Sequence, residues 1–145
     1  MKNILGIIAS ALILSFNSTA QERHTVLSVT QEMHENSWFI EQQKLWGADV
    51  KADKTNAEAW YNYYNATRAL RILSEDKLIK DNYLKQCTEI AKNAYSAIPN
   101  TFEANHLMWK DCNNDEAKEK YLLDSLSYFG FYTHQKITNK LRNKT

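Results

Sequence analysis

Glycine and proline are scarce in this chain, three and one in 145 residues. A sheet protein needs tight turns at short intervals, and few residues here can make them, so the expectation is an all-helical fold. Long stretches of Ala, Lys, Glu, Leu and Asn free of breakers point the same way. A glycine-rich phosphate loop is excluded, because Gly6 belongs to an N-terminal apolar run and only Gly47 and Gly130 remain. An excess of one charge is also lacking. Once residues 1–20 are set aside, basic and acidic side chains are equal in number, which gives nucleic acid no electrostatic hold. The one basic bias, Lys136, Lys140, Arg142 and Lys144, reads as cations opposing the negative end of a helix macrodipole.

A hydrophobic run of membrane-spanning length is missing as well. Residues 4–16 are thirteen largely apolar positions, preceded by Lys2 and followed by Asn17-Ser18-Thr19-Ala20. A stable span needs roughly 20 apolar residues. One cation, a short apolar core and a Ser-x-Ala end match a cleavable export signal, with cleavage expected after Ala20. No Cys follows the run at the processing point, so nothing indicates a lipid anchor. The expectation is an exported protein, periplasmic or secreted, with one domain over residues 21–145 large enough to bury a core.

Catalytic and metal-binding constellations are absent from the pattern. His24, His34, His106 and His134 share no spacing that sets two on one helical turn, as a helical zinc site requires, and they read as surface residues. The carboxylates fall at caps and on helix surfaces, so none forms an acid and base pair. The sequence implies no enzyme activity, no cofactor and no metal.

What the chain does contain is helical periodicity. Asn36-Ser37 precedes a segment carrying Trp38, Ile40, Leu45, Trp46 and Val50. Thr55 with Glu58 forms a capping box, and Ala59, Tyr63, Ala66, Leu70 and Leu73 follow on one face. Ser74, with Glu75 and Asp76 behind it, opens a third segment with the stripe Tyr83, Cys87, Ile90, Ala94 and Ile98. Pro99 ends it. Asn100 and Glu103 repeat the cap for a helix running to about Cys112. Asn113-Asn114-Asp115-Glu116 opens another with Tyr121, Leu122, Leu126 and Phe129, closed by Gly130; a last segment holds Ile137 and Leu141. An initial segment with Val26, Leu27, Val29 and Met33 is either a helix or an extended arm. Six helices, or three hairpins, are expected.

Two of these starts echo each other about 45 residues apart: Lys54-Thr55-Asn56-Ala57-Glu58-Ala59-Trp60 and Pro99-Asn100-Thr101-Phe102-Glu103-Ala104-Asn105. A turn former, a capping residue and an Ala-containing helix start recur, the mark of stacked helical hairpins. The run from Ala52 to Trp60 resembles the junction between two tetratricopeptide repeats, an Asp-Pro-x-Asn turn leading into Ala-Glu-Ala-Trp. Lys54 stands where that family prefers Pro, the second copy keeps Pro99 but has Asn105 in place of Trp, and the period exceeds the family's 34. The likeness covers residues 36–112. It implies a solenoid whose first helix in each pair lines a concave groove for peptides or partner proteins. By position, that groove is lined by Glu58, Tyr61, Asn65 and Arg68, then by Glu103, His106, Lys110 and Asn113. Read from the residues alone, the same positions are the solvated face of ordinary helices.

The expected function is an exported, non-catalytic module for binding or scaffolding proteins. The alternatives are a glycan-capturing protein of the same architecture, suggested by the aromatics Trp60, Tyr61, Tyr63 and Tyr64, and the N-terminal part of something longer. Asn65-Ala66-Thr67 matches a glycosylation sequon. Cys87 lies 12 residues before Pro99 and Cys112 lies 12 after Asn100. In an antiparallel hairpin each is about 18 Å from the turn, side by side, and an oxidising compartment makes them a disulfide candidate.

Overall fold

Short polar loops set the helix boundaries. A computed structural model describes residues 22–27 and 33–142, with side chains through residue 128. Five helices follow one another: α1 (Asn36–Ala52), α2 (Ala57–Leu73), α3 (Lys77–Ala97), α4 (Phe102–Asp111) and α5 (Asp115–Arg142). Loops of three or four residues join them, short enough that consecutive helices run antiparallel. Each helix packs on the next, and α2 also packs on α4. The chain is an all-helical stack of hairpins, with no strand among the described residues.

Each loop ends in a cap that satisfies an otherwise orphan backbone donor. Asn56 Oδ1 accepts from Ala59 N at 3.0 Å, Asp76 Oδ1 from Ile79 N at 2.9 Å, Thr101 Oγ1 from Ala104 N at 3.3 Å and Asn114 Oδ1 from Ala117 N at 2.9 Å. The caps of α2, α3 and α4 therefore differ from the expected Thr55, Ser74 and Asn100. Thr55 serves the turn instead, where its backbone N–H and hydroxyl both donate to Asp53 and hold that carboxylate below its usual pKa. Ser74 is the C-cap of α2, with its hydroxyl donating to Leu70 O. Asn100 accepts from the Tyr128 hydroxyl at 3.3 Å. Glu35, not Asn36, precedes α1, without a side-chain cap.

The core is one cluster reaching from Val26 and Phe39 to Ala104 and Leu107. Fully burying a Phe or Leu side chain contributes about 1.5–3 kcal/mol. On α1, Phe39, Gln42, Trp46 and Val50 are buried at steps of three and four. On α3 the buried residues are Cys87, Ile90, Ala91 and Ala94, close to the expected stripe. Helix α2 has no single apolar face. Ala59, Trp60, Asn62, Tyr64, Ala66, Thr67, Ala69 and Leu70 are all buried, because α2 is covered by α1, α3 and α4 together. Its small residues let those neighbours approach closely. Tyr64 rather than Tyr63 is the core tyrosine, and Tyr63 lies half-buried with its ring on Gly47.

Three further expectations are corrected. Five helices replace six because α5 runs on through the last expected segment to Arg142, and of the two alternatives for Val26 and Leu27 the structure shows the non-helical arm. Gly130 lies inside α5 rather than ending a helix. Cys87 and Cys112 are free thiols: α4 is only ten residues long, and Cys112 is its C-cap, turned toward Asn114 O at 3.5 Å. Cys87 is buried, and that burial, with the charge of Asp111, pushes its thiol up to about 12. The leader, Val29 and Lys144 lie outside the described residues, as do the side chains of Phe129, His134, Lys136, Ile137, Lys140, Leu141 and Arg142, whose backbone belongs to α5.

Candidate functional site

Helix α2 places Tyr61, Asn65 and Arg68 at i, i+4 and i+7, and α4 places Glu103, His106 and Lys110 at i, i+3 and i+7. Each set forms one row along its helix. Because α2 packs on α4, the rows meet. The Tyr61 and His106 rings are 5.9 Å apart, Lys110 Nζ is 3.5 Å from the Tyr61 hydroxyl, and the same Nζ is 5.1 Å from the Tyr61 ring centre. Burial raises the pKa of the Tyr61 phenol, the neighbouring Asn65 opposes that rise, and the charge of Glu103 adds to it.

Two aromatic residues that the sequence pattern did not single out for a site complete the wall. His106 stacks on Phe102 at 5.1 Å and tilts against Trp109 at 5.0 Å. All three lie on α4 within two turns, so an aromatic at i−4 and another at i+3 of a groove histidine was the available signal. His106 is not a plain surface residue. Burial first, and the charge of Lys110 second, hold its imidazole down to about 4, which leaves it neutral at pH 7. His34 likewise lies on an aromatic face, stacked on Trp38 at 3.8 Å.

The electrostatics are uneven. Lys110 is pushed down to about 8, by burial and then by the neighbouring Arg68 charge. Side-chain ion pairs among the described residues are Arg23 with Asp49 and His24 with Glu22, and neither includes Arg68 or Lys110. Lys110, and Arg68 near enough for its charge to be felt there, thus stand at an aromatic patch without a carboxylate of the chain bound to either. Such an arrangement holds an anionic group: the ammonium supplies point charge and the guanidinium a planar fork. Glu58 and Asn113 are exposed at the ends of the two rows.

On the opposite side of α2, Tyr63 floors an open cleft of about 380 Å³ lined by Gln43, Lys44, Gly47, Lys51 and Gln86. Tyr61 and Tyr63 are two residues apart, about 200° around the helix, so the cleft and the α2–α4 face are separate. Gln43 crosses the cleft to Thr67 and Gln86, at 3.0 and 3.2 Å. Asn65 is half-buried with its amide donating to Val26 O, and Thr67 is fully buried and bonded to Tyr63 O, so the sequon is closed to modification in the folded chain. Among the described residues no group of His, Cys, Asp and Glu has metal-holding geometry, and no helix is long and apolar enough to cross a membrane.

Comparison with family models, curated proteins and solved structures finds no match to this chain.

Proposed function

We propose that this chain is an exported, non-catalytic helical module that binds a partner protein through the α2–α4 face, and that the bound segment presents a carboxylate to Arg68 and Lys110. The observation that carries this reading is the Lys110 ammonium over the Tyr61 ring beside His106, with the charge of Arg68 felt from the neighbouring helix and neither cation in an ion pair. Tyr61, His106 and Trp109 add flat apolar surface next to the charge, the combination that anchors side chains at protein interfaces. A module of stacked hairpins suits this role because recognition is then carried by rows of side chains on rigid helices.

The test is affinity capture from the native host with the wild-type chain and with Arg68→Ala/Lys110→Ala, followed by a binding isotherm on the partner identified. The double variant is expected to bind ten- to a hundredfold more weakly, the scale of losing one or two charge-assisted hydrogen bonds, at unchanged far-UV circular dichroism. Equal binding by the two proteins overturns the reading. A glycan array run beside the capture separates protein from sugar: signal on the array alone favours the glycan-capturing alternative.

A further inference from the structure

Residues 22–27 lie extended across α1 and α2, and their backbone is held by side chains. Gln42 is fully buried and grips both ways, its Oε1 accepting from His24 N at 2.9 Å and its Nε2 donating to Glu22 O at 3.2 Å. Trp46 Nε1 donates to His24 O at 2.9 Å. Asn62, also fully buried, accepts from Val26 N at 2.7 Å, and Asn65 donates to Val26 O at 3.1 Å. These contacts read peptide groups at alternate residues, the repeat of an extended chain. Two arm side chains anchor it, and the His24 ring lies tilted 6.1 Å from that of Trp38. Arg23 forms a two-pronged ion pair with Asp49, with Nη2 to Oδ1 at 2.7 Å, and Val26 is buried at 1% exposure. His24, Thr25 and Leu27 face solvent.

The position of the arm in the stack is equally telling. Helix α2 packs on α3 and α4; the arm contacts α1 and α2 in the same relation. An extended segment therefore occupies the place where the first helix of another hairpin belongs. Buried amides at core spacing on α1 and α2 are costly to leave unpaired, so this face requires an extended backbone to complete it. Val26 is the one buried side chain of the arm and Arg23 pairs with Asp49 at the surface, while the remaining buried and part-buried bonds go to backbone groups that any extended peptide carries, so another segment can take over the same bonds.

We propose that this face of α1 and α2 is a binding site for an extended polypeptide segment carrying Arg three residues before Val, and that the chain's own arm is its resident occupant, which a partner segment of that type displaces. Recognition follows strand-type rules without a sheet: side-chain amides supply the backbone pairing, and Asp49 and the Val26 pocket supply the selectivity. This site shares Asn65 with the α2 row but includes neither Arg68 nor Lys110, and the inference does not rest on the function proposed for that pair.

The experiment uses a fluorescein-labelled synthetic peptide with the sequence of residues 21–27, titrated by anisotropy against the full mature chain. In the wild type the tethered arm competes. A chain with Val26→Asp in its own arm is expected to bind the peptide at least tenfold more tightly, because its site is vacated. Adding Asn65→Asp, which sets a carboxylate against the carbonyl that Asn65 now serves, is expected to reverse that gain roughly tenfold or more. A peptide with Arg and Val replaced by Glu and Asp should not bind. Should Val26→Asp reduce helicity, Arg23→Glu on an exposed side chain vacates the site without touching the core. Equal peptide binding by the wild-type and arm-substituted chains, or binding indifferent to Asn65→Asp, overturns the proposal.

Discussion

His106 is wedged among Phe102, Trp109 and Tyr61 with Lys110 one turn away, and its environment resists protonation. Its folded pKa is near 4, below the ordinary 6.5 of the unfolded chain. As pH falls from 6.5 toward 4 the unfolded state takes up a proton that the folded state refuses, so stability is lost through that window and levels off below it. With the partial exposure of the ring discounted, the loss is about 1 kcal/mol. His106→Phe keeps the stacking and removes the titration, so its urea midpoint should fall less between pH 6.5 and 4 than that of the wild type; parallel curves overturn this account. Gln42 and Asn62 teach a related lesson about single residues. Each is a polar side chain at core spacing, Gln42 between Phe39 and Trp46 and Asn62 between Ala59 and Ala66. An amide on an apolar stripe signals a backbone awaiting pairing, and that signal was present in the sequence although the segment it pairs was not identifiable from spacing.

At the scale of elements, the 45-residue echo has a structural meaning finer than its letters. Measured from the caps Asn56 and Thr101, the fourth following residues are Trp60 and Asn105. Trp60 Nε1 donates to Lys54 O at 2.9 Å, and Asn105 Nδ2 donates to Pro99 O at 2.7 Å and to Thr101 O at 2.8 Å. Both residues thus clasp the carbonyl two positions before the cap, so the departure of Asn105 from the aromatic pattern preserves the loop closure. Ala59 and Ala104, one position earlier, are both fully buried. Asn105→Ala leaves two loop carbonyls without that donor and should cost about 1–3 kcal/mol, whereas Trp60→Phe loses one bond, keeps the ring, and should cost about 1 kcal/mol. Urea unfolding of the two variants checks the order; Asn105→Ala at wild-type stability overturns the clasp. The existence and order of the helices from α1 to α5 were legible because periodic apolar positions and breakers agreed. The caps were displaced by one or two residues because competing formers stand side by side, Thr55 with Asn56, Ser74 with Asp76 and Asn100 with Thr101. Gly130 misled because a helix interior tolerates a glycine at a cost of about 1 kcal/mol when its neighbours are strong formers.

At the scale of the whole molecule, the arm and the leader are one question. The meeting of α2 with α4 was legible as the groove rows of the tetratricopeptide resemblance, while the arm was legible only as one of two alternatives, because Thr25, Val26 and Leu27 fit a helix as readily as a strand. Helices α1 and α2 hold the chain from Glu22 onward, two residues beyond the expected cut at Ala20. The apolar run of residues 4–16 is too short to span a bilayer of about 30 Å as a straight helix, and its single Lys and Ser-x-Ala end match the requirements for removal during export. Cleavage there leaves Gln21 alone ahead of the held segment, so the folded arm and the processed end are compatible without rearrangement. We expect the protein purified from its native host to begin at Gln21, read by intact-mass and N-terminal peptide mass spectrometry of the exported fraction. Recovery of the chain from the cytoplasm with residues 1–20 intact would overturn export and, with it, the expectation that any partner is met outside the inner compartment.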